Sequence, residues 1–390
     1  MSGGVKFELP PYPYDRVAEL GQLAAELPGG VVDCSIGTPC DPPLPAVVAA
    51  LSGSGSERGY PASIGSLGLR EAAAAWLNRR FGLGDGLGSA GSGPAVSADG
   101  VAACVGTKEF VASVPQLMRL QAESGRDTVL YPAVSYPTYA MGAALAGCRA
   151  VAVPALPGRV GGLDLTSVTP SDVERALLVW SNSPSNPTGG LGNLEAEAMW
   201  GRAHGVPVFS DECYAEFTWD GPPRSMLQHG LDGVVAVHSL SKRSNLAGVR
   251  VGFFAGDPKL VDFLSQVRRH AGLMVPGPAQ AAGIVALDDD EHVVVQRGRY
   301  LERLRFLAEA LTEWGCPVGL PEGGFYLWVP VPADRWKDAW MMAEELARTA
   351  GLLVGPGDLY GPAGAGFVRV AVVQPMERLE LVAERLSTAG

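Results

Sequence analysis

The chain has 390 residues, of which 47% are hydrophobic and 18% charged, and its formal charge is −11. That balance belongs to a globular protein with a large core and excludes an unfolded chain. The negative charge, without any long Lys/Arg run, argues against nucleic-acid partners and a polybasic membrane patch, and no apolar stretch approaches the roughly 20 residues that cross a bilayer.

Residues 1–45 are rich in proline and tyrosine and read as an extended arm with a short helix. The arm lacks the basic start and apolar run of a signal peptide. None of the six cysteines forms a Cys-x-x-Cys pair, and the five histidines do not cluster beside them. No zinc site or disulfide framework is expected, most of the cysteines read as small buried hydrophobes, and a cytoplasmic location fits best.

From residue 46 to 288 short apolar runs alternate with helical patterns. The strand candidates are Gly100–Val105, Thr128–Tyr131, Ala150–Val153, Ala176–Trp180, Val206–Ser210, Gly233–His238 and Val251–Ala255. Helix candidates are Leu67–Phe81, Glu109–Ala122, Tyr139–Ala146, Leu194–His204 and Pro258–His270. Continuously apolar strands separated by helices predict an α/β fold, with a mostly parallel seven-stranded sheet covered on both faces. From 289 to 390 the order changes to a helix (Gln296–Trp314), a strand (Gly324–Val329), a helix (Trp336–Ala350), strands at Leu352–Val354 and Phe367–Val372, and a final helix. This predicts a smaller α+β domain, to which residues 1–45 contribute.

Chemistry-bearing residues fall at the ends of these strands. In Cys104-Val-Gly-Thr-Lys-Glu109, Gly106, Thr107 and Lys108 lie where a glycine turn would aim amides at an anion; an ordinary helix start with Thr107 as its cap is the alternative. In Tyr131-Pro-Ala-Val-Ser-Tyr-Pro-Thr-Tyr139, Tyr136 is the candidate to stack on a planar ligand, with Tyr139 in reserve. Ser181-Asn-Ser-Pro-Ser-Asn-Pro-Thr-Gly189 is dense in turn residues and offers Asn186 as a donor to a polar ring substituent. In Phe209-Ser-Asp-Glu-Cys-Tyr214, Asp211 comes first off the strand and suits a protonated ring nitrogen; Glu212 reads as a turn carboxylate, and Tyr214 as a hydroxyl donor.

Lysine is scarce, with five against 25 arginines. Lys242 alone follows an apolar run and sits among small polar residues, in Ser239-Leu-Ser-Lys242, with Arg250 eight residues on. A lysine that reacts as an amine must be neutral, and a neighbouring cation lowers its pKa. Arg369 interrupts the apolar run Phe367–Ala371. A buried arginine needs an anion, and its fork fits a carboxylate.

In this fixed order the motifs resemble the fold type I pyridoxal-phosphate enzymes, class I/II aminotransferase group, over nearly the whole chain from Ile36-Gly-Thr-Pro39 to Arg369. The resemblance implies pyridoxal 5′-phosphate on Lys242. It implies a phosphate site made by Gly106, Thr107, Lys108, Ser239, Ser241 and Arg250. Asp211, Asn186, Tyr214 and Tyr136 would meet the cofactor ring, and Gly37, Asn186 and Arg369 the substrate. Tyr60 would reach the phosphate of a neighbouring subunit, which implies a homodimer with shared active sites. Several stretches are similar to actinobacterial N-succinyldiaminopimelate aminotransferases of lysine biosynthesis, among them His238-Ser-Leu-Ser-Lys-Arg-Ser-Asn-Leu-Ala-Gly248 and Pro356-Gly-Asp-Leu-Tyr-Gly361. That similarity implies glutamate as donor and N-succinyl-2-amino-6-ketopimelate as acceptor. The chain departs from the subfamily at Pro11-Tyr-Pro-Tyr-Asp15, at Gly248-Val-Arg250 and at Glu322-Gly-Gly-Phe-Tyr-Leu-Trp328. An aminotransferase of a specialised pathway, or a C–S β-lyase on the same fold, is the alternative.

Overall fold

The computed structural model describes residues 15–53, 55–56, 58–84 and 93–389; the Pro11–Tyr14 departure lies outside them. Its strands in chain order are β1 (Val32–Asp33), β2 (Val101–Cys104), β3 (Thr128–Pro132), β4 (Arg149–Val153), β5 (Ala176–Asn182), β6 (Val208–Asp211), β7 (Val234–Ser239), β8 (Gly252–Gly256), β9 (Tyr326–Pro330), β10 (Leu352–Leu353), β11 (Gly355–Pro356) and β12 (Phe367–Ala371). Seven form one sheet in the order β2-β8-β7-β6-β5-β3-β4. Strand β8 is antiparallel to both neighbours and every other pair is parallel. This is the α/β fold with a mostly parallel seven-stranded sheet that the alternating pattern predicts.

The apolar runs are continuous because both faces are covered. Val235 and Val237 join Phe110, Trp180 and Phe254 on one side; Val234 and Ala236 join Trp76, Leu77 and Phe253 on the other. Strand β4 departs from that expectation. Arg149, Ala150 and Ala152 are exposed, because β4 is an edge strand with β3 as its one neighbour.

A second core joins the two ends of the described chain. Val17 and Leu20 of the helix Val17–Ala25 pack with Leu304 and Leu307 of Glu291–Glu313, Leu346 of Ala339–Ala350, and Leu379 of Met376–Ala389. A three-stranded antiparallel sheet, β11-β12-β9, and the parallel pair β1-β10 complete it. Several helix boundaries differ from the sequence reading, among them Thr107–Arg119 for the expected Glu109–Ala122. The helix expected from Trp336 starts at Ala339, because Asp338 caps it by accepting from the Met341 amide at 2.9 Å. The long helix begins earlier than expected, at Glu291. The helix Gly277–Asp288 was not anticipated: Ala279, Ala282, Gly283 and Ala286 are buried around it, leaving no polar stripe to reveal a helical period. Among the described residues no helix is long and apolar enough to cross a membrane.

One buried carboxylate ties these parts together. Glu216 accepts from Trp76 Nε1 at 3.2 Å, from Arg80 Nε at 2.7 Å and from Arg243 Nε at 3.4 Å. Its backbone carbonyl accepts from Arg297 of the long helix. Arg243 is itself buried, and burial pushes its pKa down while Glu216 holds it up. Glu216→Ala strands that cation and is expected to cost about 3–5 kcal/mol in urea unfolding. Glu216→Gln, which keeps an acceptor for Trp76, is expected to lose less. A loss for the alanine variant no larger than the ~1 kcal/mol of an exposed pair would show that Arg243 is compensated elsewhere.

Candidate active site

Strands β2, β3, β5, β6 and β7 all end on one edge of the sheet, the place where open α/β sheets hold ligands. Strand β8 starts there: Gly252 pairs in register with both Cys104 and Ser239. Arg250, two residues earlier, is thereby delivered to the same edge. The turn after β2 is capped by Gly106 (φ 70°), not by Thr107, which is the first residue of the helix Thr107–Arg119. A side chain at Gly106 has no room, because its Cβ would lie 2.0 Å from Arg250 Nη2. Arg250 is in the left-handed region (φ 60°) and donates from Nη1 to the Ala247 carbonyl at 2.8 Å. Beside it, Ser239 caps the short helix Leu240–Arg243, its Oγ accepting from the Ser241 amide at 3.1 Å. A guanidinium against the amide end of a 13-residue helix, with hydroxyls around it, suits a doubly charged anion.

Asp211 and Asn182 end adjacent strands in register. Asp211 Oδ2 accepts from the Tyr139 hydroxyl at 2.8 Å, and Oδ1 accepts from the Cys213 amide at 3.1 Å. Burial nonetheless raises its pKa, against the lowering effect of Cys213 and Tyr139. Tyr139, expected as a reserve for stacking, is fully buried, stacks on Trp180 at 5.2 Å, lines the cavity and supports Asp211 through its hydroxyl. Asn182 Nδ2 donates to the Asp211 carbonyl at 2.9 Å, and its Oδ1 accepts from the Asn186 amide at 2.8 Å. Glu212 turns away, accepting from Ser210 Oγ at 2.8 Å and the Met226 amide at 2.7 Å, as expected of a turn carboxylate.

Lys242 Nζ donates to the Gly37 carbonyl. Burial first, and then Arg369 and Arg250, pull its pKa down from 10.5 to about 8, against Cys213 and Asp211. Arg369 is buried; Nη1 donates to Asn186 Oδ1 at 2.8 Å and Nη2 to the Ser35 carbonyl. The Tyr214 hydroxyl lies 2.7 Å from that of Tyr326.

These groups line one cavity of about 540 Å³. Of the residues expected from sequence, Gly37, Thr107, Lys108, Tyr136, Asn186, Asp211, Tyr214, Ser239, Ser241, Lys242, Arg250 and Arg369 line it. Gly106 shapes the turn without lining the cavity, and Tyr60 stands outside it, 98% exposed. Sequence reasoning missed Asn182, Cys213 and Tyr326, which also line it. The terminal position of Asn182, matching that of Asp211 on the next strand, was the signal available for it.

The lowered pKa of Lys242 has a consequence for stability. Between about 8 and 10.5 the folded protein binds fewer protons on this amine than the unfolded chain does. Stability therefore rises with pH across that window, and the burial cost of the charged amine is borne in full below it. Lys242→Met is expected to stabilise the ligand-free protein at pH 7 by on the order of 1–3 kcal/mol, with the gain fading toward pH 10.5. Thermal melts of the two proteins across pH check this, and a gain independent of pH would refute it.

The matches to known proteins agree with this geometry. A family model, aminotransferase class I and II, matches residues 30–386. A probable aminotransferase of Mycobacterium tuberculosis is 42% identical over 99% of this chain and 87% of its own length. The 4-dedimethylamino-4-oxo-anhydrotetracycline transaminase OxyQ of Streptomyces rimosus is 40% identical, over 97% of this chain and 99% of its own. Among solved structures, a probable N-succinyldiaminopimelate aminotransferase of Thermus thermophilus is 31% identical with a TM-score of 0.81, covering 96% of this chain and 99% of that one. The chain belongs to the class I and II aminotransferases, and is a pyridoxal-phosphate-dependent transaminase.

Proposed function

We propose that this cavity transfers an amino group from glutamate to a 2-keto acid, with Lys242, Asp211 and Arg369 as its principal residues. The observation that carries the reading is the convergence of a depressed lysine, a buried carboxylate and a buried arginine on one cavity beside a tight cationic cradle. The cradle fits pyridoxal phosphate: the space a Cβ at Gly106 would need is taken by the Arg250 guanidinium, leaving backbone amides and a cation to face the phosphate. Thr107, Lys108, Ser239 and Ser241 would complete that site. Asp211, whose buried carboxylate needs a cationic partner, would hold the ring nitrogen, with Tyr136, Asn186 and Tyr214 about the ring. When bound, the cofactor supplies an electron sink that acidifies the substrate Cα–H bond.

The protein's own groups do the rest. Arg369 binds the α-carboxylate with two hydrogen bonds, and Asn186, already bonded to Nη1, fixes the plane of its fork. Gly37 lines the same cavity and would meet the substrate through its backbone. Lys242 Nζ, with a substantial neutral fraction near pH 8, is the base that would take the proton from Cα and the acid that would deliver it to the cofactor side. Tyr139 and the Cys213 amide favour the charged form of Asp211 against its burial and fix the carboxylate that would face the ring nitrogen.

For the acceptor, N-succinyl-2-amino-6-ketopimelate is the first choice, supported by the Thermus relative and by the Lys242 and Pro356–Gly361 motifs. An acceptor from a specialised pathway is the second reading, favoured by the 40% identity to a tetracycline transaminase over nearly both whole chains. Tyr60, exposed and outside its own chain's cavity, would serve the phosphate site of a second copy in a homodimer.

The wild-type holoprotein is expected to be yellow, and Lys242→Ala to lose both the lysine-linked absorbance and all activity. Arg369→Leu is expected to raise KM for every amino-acid donor by about 10–100-fold, the worth of a charge-assisted bidentate contact. An unchanged KM would make Arg369 a structural link between Ser35 and Asn186. A panel of keto acceptors including N-succinyl-2-amino-6-ketopimelate separates the two readings, and release of pyruvate and ammonia without an acceptor would replace both by a β-lyase. Tyr60→Phe is expected to weaken cofactor retention about tenfold in equilibrium dialysis; unaltered retention would remove Tyr60 from the site.

A further inference from the structure

Tyr326 lies in Glu322–Trp328, the segment where this chain departs from the subfamily its other motifs resemble. It is 1% exposed, yet its side chain lines the cavity. Three contacts converge on its phenol. The hydroxyl is 2.7 Å from the Tyr214 hydroxyl. The ring face lies 4.4 Å from the Arg369 guanidinium, which Tyr360 faces at 4.7 Å. The hydroxyl also fills the space next to Gly37, where an added Cβ would come within 2.2 Å of it. Strand pairing holds the arrangement: Tyr326 opens β9 opposite Ala371 of β12, two residues beyond Arg369.

We propose that Tyr326 is a positioning residue that joins the carboxylate clamp to the hydroxyl facing the cofactor. Its ring, with Tyr360, holds the Arg369 fork flat while Asn186 fixes one edge. Its hydroxyl donates to Tyr214 Oη. That leaves the Tyr214 proton directed into the cavity and makes Tyr214 the stronger donor, because a hydroxyl that accepts a hydrogen bond donates better. The two halves of the phenol therefore serve different partners and can be separated by substitution.

The inference rests on the cofactor reading given above, and the test uses the holoenzyme. Visible absorbance is titrated against pH for wild type, Tyr326→Phe, Tyr214→Phe and the double variant, and KM and kcat are measured with glutamate. Weaker donation by Tyr214 leaves the cofactor's anionic oxygen less stabilised, so the spectral midpoint moves up. Tyr326→Phe is expected to shift it by about half a pH unit in the same direction as Tyr214→Phe, with kcat reduced and the glutamate KM changed less than about twofold. The double variant should shift no further than Tyr214→Phe alone. Tyr326→Leu, which removes the ring, is expected to raise KM about tenfold. Should that variant not fold, the phenylalanine series carries the test by itself. An unmoved midpoint in Tyr326→Phe, or additive shifts in the double variant, overturns the coupling while leaving the cofactor site standing. An unmoved midpoint in Tyr214→Phe, or a pH-dependent band that survives Lys242→Ala, overturns both.

Discussion

Burial of the Lys242 amine, in a cavity that it shares with two guanidiniums, is the constraint around which the site is arranged. Arg250 and Arg369 act on an amine that is already desolvated, and together with burial they lower its pKa to about 8. In the low dielectric of such a cavity, like charges are costly unless anions intervene. Among the described residues Asp211 is the one carboxylate in the lining, and its oxygens accept from Tyr139 and the Cys213 amide. The cavity is thus built with an excess of positive charge, matched to ligands that bring their own negative charge: a phosphate at one end and a carboxylate at the other.

The sheet makes that crowding possible. Only one strand, β8, runs against the others. Reversing it places the start of a strand, rather than its end, between the ends of β2 and β7. Arg250 enters there while Gly106 and Ser239 leave, so the turn after β2 meets both ends of the connection between β7 and β8. The cost falls on Arg250, a non-glycine residue held at φ 60°, a conformation that survives only where its surroundings enforce it. On the other flank, β12 carries Arg369 in from the second core. The cavity therefore depends on both cores being formed.

Much of this was legible in the sequence because the relevant groups are close along the chain. Ser239, Lys242 and Arg250 fall within one short stretch, and the residue types themselves announce an anion and an amine. Asp211 and Asn186 follow apolar runs whose ends are easy to locate. Arg369 stands out by its charge in an apolar strand. What stayed hidden depends on pairings across long separations. Tyr139 reads as another aromatic after a strand until its hydroxyl is found on Asp211. Tyr326 reads as a core residue of β9 until Tyr214 and Arg369 are seen against it. The helix Gly277–Asp288 escaped for a different reason: its half-buried face, with Ala281, Ile284 and Val285, is as apolar as its buried one, so no periodic polarity marks it. The edge position of β4 likewise follows from strand order, which local pattern does not encode.

The close approach of Gly37 to the Tyr326 hydroxyl has a consequence for how sequences of this kind vary. The two positions belong to segments far apart in the chain, but they occupy one volume. A side chain at 37 has room only if the phenol at 326 gives way, and a smaller residue at 326 opens a gap beside the Lys242 acceptor carbonyl. A side chain at 37 is therefore conditional on a smaller residue at 326, while the reverse change stands alone. The pair thus sets the shape of the cavity wall at the point where the Lys242 amine rests.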